Sequence, residues 1–394
     1  MNFSKRVLSI QPSATLAINA KAQEMRSEGE NVISLAVGEP DFSTPENIVS
    51  AAKKALDQGF TRYTAVPGMP ELRRAVAGYF SRTYGVQCSQ KDVMVSNGGK
   101  QCLYNLLQAL VDPGDEVLIP GPYWVSYPDM VKLAEGSPVI VPTEPKDNFL
   151  VKKEELENFV TSRTRVLILN TPSNPTGCHY HQEQLEGIAR WAFSRNIFVI
   201  CDEVYDQLVY PPAEMSSLCN FWQQHPDGVA IVNGLSKTFS MTGWRIGYVL
   251  AHEDLIRAMS KIQGQSTSNV CSFAQKGALA GLEGSFEMVE KMRESFARRR
   301  DLALDIISSW KGAVCPRPDG AFYLFPRVDA FYNVQVDSST ELCKAVLEKE
   351  KIALVPGKAF GDDRCVRISY AVGDEVLQDC LRRLGGFLAG LRGQ

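Results

Sequence analysis

Six short apolar runs, at residues 116–120, 138–141, 166–170, 197–201, 229–232 and 246–250, alternate with stretches long enough for helices. Runs that are apolar without a polar alternation belong to strands buried on both faces, the habit of parallel strands in α/β sheets. Such a chain must cover both faces of its sheet with helices, and few folds do that. The expectation is an α/β architecture with a mostly parallel sheet flanked by helices and functional groups gathered at the strand ends. Beyond residue 285 the pattern changes. A long charged helix over 285–310 reads as a strut between domains, with Arg298, Arg299 and Arg300 on a solvated basic face. Runs at 321–325, 352–355 and 365–370 then alternate with helical patterns at 339–349 and 374–391, as in a smaller α+β domain. A length of 394 residues accommodates two or three domains. The expected division is a large domain over 45–285 and a small one built from 1–44 with 286–394.

The formal net charge of −3 comes without a concentrated basic face, which argues against a nucleic-acid partner. No run reaches the length of a membrane span, and residues 1–7 lack the apolar segment of a signal peptide, so a cytoplasmic enzyme is expected. The cysteines form no Cys-x-x-Cys pair; Cys201 and Cys271, inside apolar runs, read as small buried hydrophobes kept reduced. His179 and His181, either side of Tyr180, sit in a turn before a helix, and no metal site is expected of them.

The chemistry concentrates after the run at 229–232, in Asn233-Gly-Leu-Ser-Lys-Thr-Phe-Ser-Met-Thr-Gly-Trp-Arg-Ile-Gly247. Ser236, Lys237 and Arg245 thereby fall in the connection between two buried strands. A lysine at a strand end is ordinarily just solvated. Here Arg245 offers a fork of donors suited to phosphate, Ser236 a hydroxyl, and Lys237 an amine that forms an imine once desolvated. Imine chemistry beside a phosphate site suggests pyridoxal 5′-phosphate. Its ring nitrogen needs a carboxylate, and Asp202 closes the run at 197–201 in Cys201-Asp-Glu-Val-Tyr205. Upstream, Asn170-Thr-Pro-Ser-Asn-Pro-Thr-Gly177 leaves the run at 166–169.

Asn174 in Asn-Pro-Thr-Gly, Asp202 and Tyr205 in Asp-Glu-Val-Tyr, and Ser236-Lys237 with Arg245 resemble the class I aminotransferases of the aspartate aminotransferase superfamily. The likeness runs from Pro12-Ser-Ala-Thr15 to Arg367-Ile-Ser-Tyr370 and is nearest to the bacterial branch that includes prephenate-using members. It implies the pyridoxal-phosphate transferase fold of type I, a homodimer with shared sites, and closure of the small domain over substrate. It also implies roles. Lys237 carries the cofactor and transfers the proton, Asp202 keeps the ring nitrogen protonated, and Tyr205 and Asn174 bond its 3′ oxygen. Trp124 stacks on the ring, while Ser236, Arg245, Gly99 and Tyr63 of a neighbouring subunit hold the phosphate. Arg367, Asn174 and Gly38 bind the substrate α-carboxylate; Lys100, beside the cofactor, reaches with Ser13 and Thr15 toward a distal carboxylate.

Without the resemblance several of these residues read more plainly. Ser13 and Thr15 are possible helix caps, Gly38 a turn glycine, Tyr63 a loop aromatic, and Trp124 a core tryptophan starting a helix. Gly98-Gly99 opens a helix after a strand, a plausible anion cradle but no P-loop, since Met94 and Gln101 stand at its required positions. Arg367, within an apolar strand, needs an anionic partner of some kind. The implied substrates are amino and keto acids, with aspartate and 2-oxoglutarate giving oxaloacetate and glutamate. Prephenate, aromatic or alanine transamination are the alternatives. Residues 263–268 hold no arginine for a distal carboxylate, and Gln11 stands where many relatives carry a lysine, which tells against prephenate.

Overall fold

The computed structural model describes residues 1–12 and 14–392. Twelve strands occur in chain order: β1 (Ile33–Ser34), β2 (Val93–Ser96), β3 (Glu116–Pro120), β4 (Ser137–Val141), β5 (Thr164–Asn170), β6 (Phe198–Asp202), β7 (Val229–Gly234), β8 (Gly247–Leu250), β9 (Tyr323–Leu324), β10 (Ile352–Ala353), β11 (Val355–Pro356) and β12 (Val366–Ser369). Seven of them make one sheet in the order β2-β8-β7-β6-β5-β3-β4. Strands β3 to β7 pair parallel with one another, whereas β8 runs antiparallel to both β2 and β7. The run at 246–250 therefore corrects the parallel expectation. Burial on both faces makes a strand continuously apolar whatever its direction, so composition cannot report polarity.

Helices cover both faces of this sheet. In Gln182–Phe193 the buried residues Leu185, Ile188, Ala189 and Ala192 recur at the spacing of one helical face, while Glu183, Gln184 and Arg190 face outward. Two apolar cores result. One contains Leu167, Leu169, Val199 and Cys201, the other Val166, Ile168, Ile200 and Val232, so successive residues of one strand feed opposite faces. A three-stranded antiparallel sheet, β11-β12-β9, lies in a third core built around Phe296, Phe322, Leu342 and Leu381. The N-terminal segment joins that region, because β1 pairs parallel with β10.

Three local expectations change. Trp124 precedes the helix Tyr127–Leu133 rather than starting it. Cys201 is buried as expected, but Cys271 is exposed, just before the helix Ser272–Glu283. The basic run on the long helix Glu287–Ser308 is not a solvated face. Arg298 points outward, but Arg299 and Arg300 are buried, each neutralised locally: Arg299 by Asp41 and Asp374, Arg300 by Asp301 and the ring of Tyr210. Consecutive helical residues point about 100° apart, so a run of three arginines cannot share one face. No helix among the described residues is long and apolar enough to cross a membrane.

Candidate active site

Parallel strands end at the same edge of a sheet, and connections leave there. At the carboxyl edge, β2 leads to Gly98 and Gly99, β3 to Trp124, β5 ends on Asn170, β6 on Asp202, and β7 leads to Ser236 and Lys237. The reversed β8 starts at this edge, which brings Arg245 back to it. Register sharpens the arrangement: Asn170 pairs beside Asp202, and Gly247 lies between Ser96 and Gly234.

A cavity of about 380 Å³ opens over this edge. It is lined by Gly38, Gly99, Lys100, Trp124, Asn174, Asp202, Tyr205, Ser236, Lys237, Arg245 and Arg367, all predicted from sequence. Tyr63 is not among the lining residues and is 91% exposed. Ser13 and the side chain of Thr15 lie outside the described residues.

Lys237 sits on the short helix Leu235–Thr238 and donates to the carbonyl oxygen of Gly38. Desolvation brings its amine down to about 8, with Glu39 opposing and the cations Arg367 and Arg245 assisting. Free amine, the form a nucleophile requires, is thus far more abundant near neutral pH than on an ordinary lysine. Asp202 is buried, and burial pushes its carboxyl up to about 6. Two donors oppose that rise, the hydroxyl of Tyr127 at 2.7 Å and the amide of Val204 at 3.3 Å. Tyr127 was not anticipated as a site residue. Asn170 was not either: its Nδ2 donates to the Asp202 carbonyl at 2.9 Å, and its Oδ1 accepts from the amide of Asn174 at 2.8 Å. Asparagine at the head of the Asn170-Thr-Pro loop was the available signal, since that side chain habitually bonds nearby backbone in turns.

Arg367 is 2% exposed, and no carboxylate pairs with it among the described residues. Its Nη1 donates to Asn174 Oδ1 at 2.9 Å and its Nη2 to the Ala36 carbonyl at 2.6 Å, while Nε has no partner. Tyr323 and Phe360 lie against the guanidinium at 4.6 and 5.0 Å from their ring centres. A buried guanidinium held by neutral acceptors, with a donor spare, is a receptor for an anion. Tyr205 turns its hydroxyl to that of Tyr323 at 2.9 Å, and burial raises both phenols. Lys100 lies 4.9 Å from the Trp124 ring centre, lowered by desolvation and by Arg245.

The cradle for a phosphate is formed where β8 meets the helix Gly99–Leu110. Gly98 has φ +84, which favours glycine, and a Cβ there would collide with the Arg245 guanidinium. Arg245 is itself fixed by the carbonyls of Thr242 at 2.9 Å and Asn97 at 3.2 Å, in a left-handed conformation with φ 57. A helix N-terminus, a fixed guanidinium and the hydroxyl of Ser236 are a fitting donor set for a phosphate dianion. Asp202, buried with no cation within ion-pair distance among the described residues, would suit a protonated ring nitrogen. The residues present therefore fit pyridoxal phosphate.

An amine at a strand end, a buried carboxylate and an anion cradle on one α/β edge define a pyridoxal-phosphate-dependent transferase of fold type I. The chain belongs to the family of class I and II aminotransferases, whose model matches residues 30–384. It is similar to the aspartate aminotransferase of Bacillus subtilis, 41% identical across 98% of this chain and 99% of that one. An aspartate/prephenate aminotransferase of Cereibacter sphaeroides is 43% identical across 99% of each. Among solved structures, the aspartate aminotransferase of Thermus thermophilus with maleate superposes with a TM-score of 0.93 at 40% identity, over 98% of this chain and 99% of that one.

Proposed function

We propose that this aminotransferase moves the amino group of L-aspartate to 2-oxoglutarate, giving oxaloacetate and L-glutamate, as a homodimer in which Tyr63 completes the neighbour's phosphate site. The observation that carries the substrate reading is the pair of cations in one cavity. Arg367 is buried with a spare donor, and Lys100 takes part in none of the ion pairs among the described residues. Two unsatisfied cations suit a substrate with two carboxylates. The 91% exposure of Tyr63 in a single chain and the aspartate aminotransferases among the relatives support the rest.

Under this reading Arg367, Asn174 and the Gly38 backbone hold the α-carboxylate, which turns the substrate Cα–H toward Lys237. Bound in the cavity, the cofactor supplies an aldehyde that carries the amino group and a ring that draws electrons from Cα. Lys237 would take the proton from Cα as general base and, as general acid, give it to the C4′ carbon that the cofactor brings as its aldehyde. Asp202 holds the proton on the ring nitrogen. Asn174 and Tyr205 donate to the 3′ oxygen, Trp124 covers the ring face, and Ser236, Arg245 and Gly99 bind the phosphate. Lys100 takes the distal carboxylate, with Ser13 and Thr15 beside it. The division into a large domain over 45–285 and a small one from 1–44 with 286–394 belongs to the same proposal; the β1–β10 pairing supports it.

The test is oxaloacetate formation from aspartate and 2-oxoglutarate by the cofactor-loaded protein, with alanine, phenylalanine and prephenate as competing reactants. Aspartate is expected to react fastest, and Lys100→Ala to raise KM for aspartate by roughly tenfold or more while sparing alanine. Failure to form oxaloacetate, with brisk turnover of alanine or an aromatic amino acid, would overturn the substrate assignment. Gln11, exposed and uncharged, predicts a weak reaction with prephenate.

A further inference from the structure

Residues 36–39 form one wall of the cavity, and the segment containing them is pinned at three points. The Ala36 carbonyl accepts from Arg367 Nη2 at 2.6 Å, and the Gly38 carbonyl accepts from Lys237. The Asp41 carboxylate takes both terminal nitrogens of Arg299, at 2.7 and 2.9 Å. The first two pins are groups of the site itself. Arg367 must turn donors to an incoming carboxylate, and Lys237 must leave the Gly38 carbonyl when its amine is engaged by the cofactor. The third stays outside the chemistry. Arg299 is itself held rigidly: its side chain is 8% exposed, its Nε donates to Asp374 at 3.0 Å, and Phe42 and Phe296 each lie 5.6 Å from its guanidinium. A planar fork bound by two carboxylates in a nearly closed pocket permits little motion of what it holds.

We propose that Arg299 is a positioning residue for transamination, acting through Asp41 to keep the Gly38 backbone in place for the substrate α-carboxylate after Arg367 and Lys237 release the segment. This rests on the reading that Arg367 and Gly38 receive that carboxylate. The α-carboxylate is common to all amino acids, so the effect must not depend on the substrate side chain. Because the contact is made in ground and transition state alike, it belongs in KM rather than kcat.

The experiment uses the cofactor-loaded enzyme and the variants Arg299→Met, Arg299→Lys, Asp41→Asn and the double variant Arg299→Met with Asp41→Asn. Arg299→Met is expected to raise KM roughly tenfold or more for aspartate and alanine by the same factor, with kcat changed less than about threefold and cofactor affinity retained. Arg299→Lys, which keeps the charge and loses the fork, should lie between. Hydrogen exchange of the amides at 37–42 should quicken in Arg299→Met, also in the cofactor-free protein. In the Asp41→Asn background Arg299→Met should add little further to KM. Additive rises, a rise for aspartate alone, or unchanged exchange at 37–42 would overturn the proposal. If Arg299→Met does not fold, Arg299→Lys and Asp41→Asn carry the same comparison. Should wild type ignore aspartate yet turn over alanine, the substrate reading fails and the alanine data still decide the role of Arg299.

Discussion

Asp202 occupies a place where a carboxylate is driven toward its protonated form, and the Tyr127 hydroxyl is the strongest counterweight. Pairing with a protonated ring nitrogen requires the carboxylate, so cofactor affinity should fall as pH drops through about 6, the value to which burial raises Asp202. In Tyr127→Phe the favoured anion loses a donor, and its proton affinity rises further. A hydrogen bond to a charged group contributes about 1.5–3 kcal/mol, so the acid limb of cofactor affinity should move up by roughly one to two pH units. Titrations of cofactor across pH 4–9 measure this; coincident limbs for both proteins would show that Tyr127 does not support the carboxylate. Lys237 shifts the other way. Its amine comes down to about 8 from the usual 10.5, so the fraction of free amine grows as pH rises through about 8. The rate at which cofactor-free protein captures pyridoxal phosphate, followed by visible absorbance, should have its midpoint near there. A midpoint near 10 would mean that the lysine is solvated.

At the scale of elements, the site depends on how closely β8 approaches the start of the helix Gly99–Leu110. A Cβ at Gly247 would sit on the Gly99 amide nitrogen and crowd the Gly98 carbonyl carbon, which is backbone and cannot swing aside. Gly247→Ala must therefore push the cradle away from the Arg245 guanidinium. Overpacking of this kind costs about 1–3 kcal/mol, and a loss of cofactor affinity should accompany the lower Tm. Gly187→Ala, on an open stretch of helix, is the control, since no atom lies within 4 Å of the added methyl. If both variants melt alike and bind cofactor alike, the close approach has no functional consequence. The reversed direction of β8 matters for the same reason. A seventh parallel strand would begin at the opposite edge and carry Arg245 away from Ser236 and Lys237.

On the scale of the whole molecule, one chain leaves Tyr63 91% exposed and outside the cavity lining. In the proposed symmetric dimer each site would borrow this residue from its neighbour. Mixing Tyr63→Ala and Lys237→Ala chains by joint refolding should regain up to roughly a quarter of wild-type activity, because half of the dimers are hybrids and each hybrid has one intact site. Equal activity of the mixture and the separate variants would place Tyr63 outside the neighbour's site. The Arg299 contacts act at this scale as well, tying the 36–41 segment to the long helix and to the last helix Asp374–Arg392.

What could be read from residue order alone were features whose cause is local. Continuous apolar runs marked the buried sheet, and contiguous motifs delivered Asn174, Asp202, Tyr205, Ser236, Lys237 and Arg245 to strand ends, because a strand end and the turn after it are neighbours in the chain. The remaining features come from contacts between distant segments. Tyr127 meets Asp202 across 75 residues, Tyr205 meets Tyr323 across 118, and Arg299 meets Asp41 across 258. The polarity of β8 was hidden because burial on both faces erases the alternation that would distinguish strand directions. Arg299 and Arg300 looked solvated because charge implies exposure until a partner is known, and Asp41 and Asp374 for Arg299, or Tyr210 for Arg300, come into place only when the chain closes on itself. Composition and motif thus determined the class of chemistry. The protonation of Asp202 and Lys237, and the fixing of the Gly38 segment, were decided by tertiary packing, since desolvation and ion pairing depend on which surfaces meet.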